Sequence, residues 1–330
     1  IDQFYPYLQK PFKAVIISHQ KPDGDAMGSS LALFHFLKKM GHEVSVISPT
    51  NWASFLNWMP GVEEVIDFES NKPKASSLIQ NADYIFCLDF NIFHRTKNVE
   101  PLLKEAKAKK ILIDHHQQPD SPSFAYGISD VTMSSTAEMI YHFIIASGSG
   151  NIIDLDIATC LYTGIMTDTG SFRFPSTSAS VHKIVAHLKE LGLNHTLIHE
   201  NIYDNFSEGR LKFMGNAFLH RMTVLPDLKT ALMAIPKTDI YKYELKTGDT
   251  EGLVNYLLSI EGIELAAIVI DREEERKWSF RSKGSFDVNI FARNNFEGGG
   301  HKNAAGGRSS KSLQETVQDF KKILNNTIIN

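Results

Sequence analysis

The short apolar run Ile111-Leu112-Ile113, cut off by Asp114-His115-His116, constrains this chain more than any other stretch. The run suits a buried strand, and the carboxylate with two imidazoles at its end suits chemistry, because parallel sheets place their sites beyond the carboxyl ends of their strands. Three other segments have the same shape. Val15-Ile16-Ile17-Ser18 leads into His19 and then Asp23-Gly24-Asp25, Tyr84 to Leu88 leads into Asp89, and the apolar stretch from Ala158 to Met166 leads into Asp168. Together they supply enough oxygen and imidazole donors for two metal ions.

Strand-length apolar runs alternate with helix-period segments through the first half, which predicts an α/β fold with a parallel sheet and helices on both faces. Strands are expected near 13–18, 43–48, 83–88 and 110–114, with a weaker one near 62–66. The first helix should begin near Ala26, bury Leu31, Leu33, Phe34 and Leu37, and stop at Gly41. Another should open at Ser135, whose spacing to Glu138 is that of a capping box. From about 178 to 222 the pattern is helical, with polar breaks near Asn194 and Ser207, and suits a bridge between domains. Beyond it, Lys229 to Ile235 and Glu264 to Ile270 read as strands. A charged turn from Asp271 to Lys277 and a return strand, Trp278 to Arg281, follow. The second half is therefore expected to be a smaller domain with a mixed sheet, ending in a helix capped by Ser312 and Glu315.

Composition narrows the function. A chain of 330 residues with 42% apolar content can fill two cores, and a formal charge of -4 argues against the broad basic face that long nucleic acids require. Cys87 and Cys160 lie within apolar runs and read as buried packing groups, which suits a reducing compartment, so a cytoplasmic location is expected. No apolar stretch approaches the ~20 residues of a membrane helix. The first residue is Ile, so a short leader is expected to have been trimmed or left out of the numbering.

The metal argument rests on residue type and position. Asp23 and Asp25, two residues apart around a Gly, can diverge toward neighbouring ions while His19 adds a nitrogen donor. Such a mixed set suits Mn, Zn or Fe better than Ca or Mg. A central carboxylate could bridge two ions, and a water between them would be deprotonated near neutral pH. Of the adjacent pair His115 and His116, one is expected to bind metal and the other to face substrate, with Asp114 fixing an imidazole from behind. Taken singly, an Asp-Gly-Asp is more often an ordinary turn, and Asp89 or Asp168 could simply cap or turn the chain. Coincidence at four element ends shifts the reading toward function. Near the C-terminus, Gly298-Gly299-Gly300-His301-Lys302 reads as a substrate loop rather than a flexible connection. Its glycines allow backbone N–H groups close to a phosphate, and Arg281-Ser282 offers a guanidinium suited to bidentate contact.

These motifs, from His19-x-x-x-Asp23-Gly24-Asp25 through Asp89 and Asp114-His115-His116 to Asp168-Thr169-Gly170, resemble those of the DHH phosphoesterase family. Gly298-Gly299-Gly300-His301 resembles the signature of its DHHA1 domain, with Glu297 standing where the family pattern often has another Gly. The resemblance covers nearly the whole chain and is strongest to the branch of oligoribonucleases that also act on adenosine 3',5'-bisphosphate. It implies a catalytic metal-binding domain over 1–190, a helical linker over 191–222 and a substrate-binding domain over 223–330. It further implies two divalent ions, Mn2+ by preference. His19, Asp23 and Asp89 would hold one; Asp25, Asp89, His115 and Asp168 would hold the other, with Asp89 bridging. His116 would contact the scissile phosphate, and Arg281, Ser282, Gly299, Gly300 and His301 would grip the terminal nucleotide.

The implied substrates are short RNA or DNA oligonucleotides and small nucleotides, not long duplexes or membranes. A homodimer is left open. Linear diadenylate or short polyphosphate are the alternative substrates. A family pyrophosphatase would carry a different C-terminal domain, and a processive exonuclease would add a basic, aromatic-lined channel. A catalytically dead nucleotide sensor should lack ligands that are all present here. A dinucleotide-dependent oxidoreductase should have a Gly-x-Gly-x-x-Gly turn where this chain has Ser18-His19-Gln20-Lys21-Pro22.

Overall fold

In the computed structural model, which describes residues 1–273 and 275–328, the chain divides into two compact units, Ile1–Asn205 and Phe206–Asn330. The first contains β1 (Lys13–Ile17), α1 (Gly24–Lys39), β2 (Glu43–Ser48), β3 (Ile66–Asp67), α2 (Lys72–Asn81), β4 (Tyr84–Leu88) and α3 (Glu100–Glu105). These are followed by β5 (Lys109–Asp114), β6 (Tyr126–Ser129), α4 (Thr136–Ala146), α5 (Leu155–Asp168), α6 (Ala179–Glu190) and α7 (His195–Tyr203). The six strands pair parallel in the order β3-β2-β1-β4-β5-β6. The period of two explains why β1 and β4 carry apolar residues at successive positions. Ala14 and Ile16 of β1, with Phe86 and Leu88 of β4, join one core with α1, α4 and α5. Val15 and Ile17, with Ile85 and Cys87, join the core on the opposite face with Ala75 and Ile79 of α2 and Leu103 of α3.

Strand order decides where a site can form. From β1 the chain crosses to β2 on one side, and from β4 it crosses to β5 on the other. The loops after β1 and β4 therefore diverge and leave a crevice at the switch point between these two paired strands. Helix α5 is fixed near that crevice by a close crossing with α1. A Cβ on Gly28 would lie 2.5 Å from the carbonyl oxygen of Cys160 and 2.8 Å from the nitrogen of Gly164. Only glycine allows that approach.

The second unit contains α8 (Glu208–His220), β7 (Met222–Leu225), β8 (Thr230–Ile235), α9 (Lys237–Lys242), α10 (Leu253–Leu258) and β9 (Leu265–Asp271). Then come β10 (Arg276–Ser282), α11 (Val288–Asn295), β11 (Gly299–His301), β12 (Ala304–Ser309) and α12 (Leu313–Ile328). Its sheet runs β11-β12-β10-β9-β8-β7 and is mixed, with β8 and β9 parallel and the other pairs antiparallel. One face carries Phe213, Leu253 and Leu257 from α8 and α10. The other carries a cluster of Trp278, Phe280, Phe291, Phe296 and Phe320 beneath α11 and α12.

Some local expectations change. The weak strand near 62–66 is a 3-10 turn, Val62–Glu64, followed by only two strand residues. The helical tract from 178 resolves into α6, α7 and α8, with Asn194 and Ser207 as N-caps. The Gly-rich segment is a hairpin, β11 on β12, and not a loop. Its glycines serve packing as well as any ligand: a Cβ on Gly298 would collide with the carbonyl of Gly306, and one on Gly307 would lie 2.8 Å from Phe296 Cβ. Strand β6 has no signal of its own because Gly127 sits in its middle. A Cβ there would meet Leu112 at 2.8 Å. Both cysteines are buried and free, and no described helix is long and apolar enough to cross a membrane.

Candidate metal centre

Each motif residue is presented by the end of an element. His19 follows β1, with Nδ1 2.8 Å from the carbonyl of Gln20, so Nε2 is left facing Asp89 Oδ2 at 3.3 Å. Asp23 is the N-cap of α1 and accepts from the amides of Asp25 and Ala26 through Oδ1, leaving Oδ2 for another partner. Asp25 is buried in the first turn of α1. Its oxygens accept from Thr136 N at 2.6 Å and Ala137 N at 2.8 Å, the first amides of α4. A helix N-terminus thus steadies this carboxylate.

Asp89 is 2% exposed and adopts φ +62°, a left-handed backbone conformation unfavourable for a side chain with a Cβ. Its two oxygens look in different directions. Oδ2 faces His19, while Oδ1 lies 3.5 Å from His115 Nε2, 3.7 Å from His116 Nδ1 and 3.0 Å from the Thr136 hydroxyl that donates to it. His115 Nδ1 points at the carbonyl of Met133, 3.3 Å away, and Nε2 also approaches Asp25 Oδ2 at 3.7 Å and Asp168 Oδ2 at 3.5 Å. Asp168 comes from the last turn of α5 and is more open than Asp25 or Asp89. His116 has a different setting. Its Nδ1 pairs with Asp114 Oδ1 at 2.8 Å, and its backbone N–H donates to Asp114 Oδ2 at 3.1 Å.

Two donor sets therefore lie side by side. His19, Asp23 and Asp89 converge within 4.8 Å, as do Asp25, His115 and Asp168, and Asp89 Oδ1 reaches the second set through His115. In both His19 and His115 the second ring nitrogen is engaged by a backbone carbonyl, which fixes the tautomer that directs an Nε2 lone pair inward. Converging buried carboxylates repel unless a cation lies among them, so the donor chemistry fits divalent metal.

The electrostatics without an ion express the same frustration. Burial opposes a charged His115, but the Asp89 carboxylate, with Asp168 and Asp25, outweighs it and holds that imidazole well above its ordinary pKa. His19 is raised in the same way by Asp89 and Asp23 against its burial. Burial, then Asp89 and Asp168, push Asp25 up. Burial would raise Asp89 too, yet His115 and His19 hold it well below the usual carboxylate range. Burial, then Asp89, lift Asp114 to about 6, while burial and the nearby Arg95 keep His116 neutral.

In the second unit, Arg281 and Ser282 end β10 and His301 ends β11. Arg281 Nη1 donates to the Phe280 carbonyl at 2.9 Å. Ser282 is buried: its hydroxyl donates to Phe286 O at 2.7 Å and accepts from Asn303 Nδ2 at 2.9 Å, so it braces the turn. Asn289, buried on α11, accepts from Gly300 N at 2.9 Å and from Arg293 Nε at 3.0 Å. It fixes the strand that carries Gly299, Gly300 and His301.

The N-terminal domain of the DHH family matches residues 13–165, and the DHHA1 domain matches residues 231–330. The chain belongs to the DHH family. It is 30% identical to the bifunctional oligoribonuclease and PAP phosphatase NrnA of Thermus thermophilus, over 88% of this chain and 82% of that protein. It is 26% identical to the protein of that name from Bacillus subtilis, over 88% of each chain. The crystal structure of an exopolyphosphatase-related protein from Bacteroides fragilis superposes with a TM-score of 0.93 at 37% identity, covering 98% of this chain and 95% of that one. A manganese-bound RecJ from Thermus thermophilus shares the fold, with a TM-score of 0.56 at 11% identity over 98% of this chain and 54% of that one.

Sequence reasoning about this DHH protein missed three contributors. Thr136 and the first amides of α4 hold Asp89 and Asp25, Arg95 stands beside the centre, and Asn289 organises the hairpin. The Ser135 cap was the available signal for the first, since it marks where free helix amides begin.

Proposed function

We propose that this DHH-family phosphoesterase hydrolyses short oligonucleotides to nucleoside monophosphates and adenosine 3',5'-bisphosphate to AMP, with two Mn2+ ions. The observation that carries the reading is Asp89, buried between two donor sets with one oxygen toward each. His19, Asp23 and Asp89 would hold one ion, and Asp25, Asp89, His115 and Asp168 the other. Bound there, divalent ions supply Lewis acidity and lower the pKa of water toward neutrality. The chain's own groups do the rest. His116, oriented by Asp114 at Nδ1, is assigned to the scissile phosphate, with Nε2 toward substrate and able to donate to the leaving oxygen only when the ring is protonated. Arg281, Ser282, Gly299, Gly300 and His301 are assigned to the terminal nucleotide, Ser282 by shaping the turn. The curated relatives named for both activities support the substrate pair.

A second reading comes from the Bacteroides fragilis likeness: short polyphosphate presents a phosphoanhydride, also cleaved by attack on phosphorus, without a base. The test is to incubate purified protein and Mn2+ with labelled dinucleotides and longer oligomers, adenosine 3',5'-bisphosphate, linear diadenylate and tripolyphosphate. Fast release of nucleoside monophosphates from the dinucleotide and of AMP from the bisphosphate supports the first reading. Hydrolysis of tripolyphosphate alone overturns it.

A further inference from the structure

One cation beside the metal centre has no task in the assignments above. Arg95 lies in the 3-10 segment Phe93–Val99, partly buried, and is tied to both loops of the switch point. Its Nη1 donates to the Asp89 carbonyl at 3.4 Å, and its own carbonyl accepts from Gln20 N at 2.8 Å. Gln20 in turn holds His19 Nδ1. The guanidinium therefore stands at the backbone of Asp89, the carboxylate shared by the two donor sets. Among the described residues no carboxylate pairs with it at ion-pair distance.

That placement is costly for metal binding. A positive charge held next to a site for cations weakens their binding, and a partly buried guanidinium without a carboxylate partner loses hydration. Both costs are offset if an anion lies against the ions and Arg95 together. A phosphoryl group bound by both would do so, since the guanidinium fork matches two phosphate oxygens. We propose that Arg95 is a catalytic residue that grips non-bridging oxygens of the scissile phosphate while Nη1 remains anchored on the Asp89 carbonyl. This rests on the phosphoesterase reading and assigns a further residue to it. As attack on phosphorus proceeds and the ester P–O bond breaks, charge builds on those oxygens, and a prepositioned guanidinium stabilises it without reorganisation.

The experiment compares Mn2+-loaded wild type, Arg95→Ala and Arg95→Lys in three measurements: bound metal, affinity for inorganic phosphate by calorimetry, and kcat with a dinucleotide. Arg95→Ala is expected to keep its metal, bind phosphate about tenfold more weakly and lose about 100-fold in kcat. Arg95→Lys should recover part of the phosphate affinity. Should Arg95→Ala fail to fold, Arg95→Lys and Arg95→Gln carry the same comparison. Unchanged phosphate affinity with an intact metal content overturns the proposal, and so does loss of metal in step with activity, which would make Arg95 a prop for the Asp89 loop. A wild type inactive on nucleotides overturns the substrate reading instead, while the phosphate affinities still decide Arg95.

Discussion

At Asp89 the backbone holds φ +62°, a conformation that costs an ordinary residue roughly 1 kcal/mol or more, and neighbours hold it there: Ile113 O accepts its N–H and Arg95 donates to its carbonyl. That conformation is kept at the one carboxylate that lies between the two donor sets. His116 should behave differently, because its Nδ1 is occupied by Asp114. His116→Ala is expected to lower turnover by about 100-fold and leave bound metal near the wild-type level, measured by metal analysis after desalting. Equal metal loss from His115→Ala and His116→Ala would contradict the division of labour. Glu297 also has a left-handed backbone, φ +43°, at the place where the family pattern often has glycine. Glu297→Gly should raise thermal stability by up to about 1 kcal/mol, since the exposed pair it gives up with Arg308 is worth little. At this scale the clustered carboxylates and imidazoles were legible in the sequence, because such residues directly after apolar runs have few structural reasons to be there. Thr136, Arg95 and Asn289 were not, because each acts through a contact formed only when distant loops meet.

The crossing of α1 and α5 joins packing to chemistry. Gly164 faces both Ala137 and the Asp25 carboxylate, and a Cβ there would lie 2.5 Å from Ala137 Cβ and 2.9 Å from Asp25 Oδ1. Gly164→Ala must therefore push α5 away or displace Asp25. The expected result is a loss of about 1–3 kcal/mol in a denaturant titration, with weaker metal binding and no change in the Asp23 side of the site. A Gly164→Ala protein of wild-type stability and metal affinity would remove this crossing from the account. Strands β1 and β4 could be read because each faces two cores and is apolar on both sides, so alternation was not needed. Strands β6, β11 and β12 could not, since their glycines are demanded by tertiary contacts that oppose local strand preference. Helix α12 was legible from its start: Ser312 and Glu315 cap each other reciprocally, through Glu315 N to Ser312 Oγ at 3.2 Å and Ser312 N to Glu315 Oε2 at 3.0 Å.

For the whole molecule, the metal centre should govern how stability responds to pH. In protein stripped by chelation, His115 and His19 have pKa values above those of the unfolded chain. Their contribution is therefore complete below the unfolded value near 6.5 and is lost as pH rises through the folded values. The melting temperature of the stripped protein should fall from pH 6.5 to 8.5, whereas Mn2+-loaded protein should hold steady or gain, since its donors bind metal deprotonated. The same pH slope in both forms would show that these groups do not carry the effect. The net charge of -4 gives a second expectation, that hydrolysis slows from dinucleotides to long strands, because an acidic chain gains little from added phosphates. Arg281→Ala should raise KM for the dinucleotide about tenfold without metal loss. The most direct test of the central claim, that Asp89 joins two ion sites, is calorimetric titration of Mn2+ into stripped wild type and Asp89→Asn. The account predicts two ions per wild-type chain and weakened binding of both in the variant, with activity abolished; a single ion in wild type, or an Asp89→Asn protein that binds both normally, would contradict it.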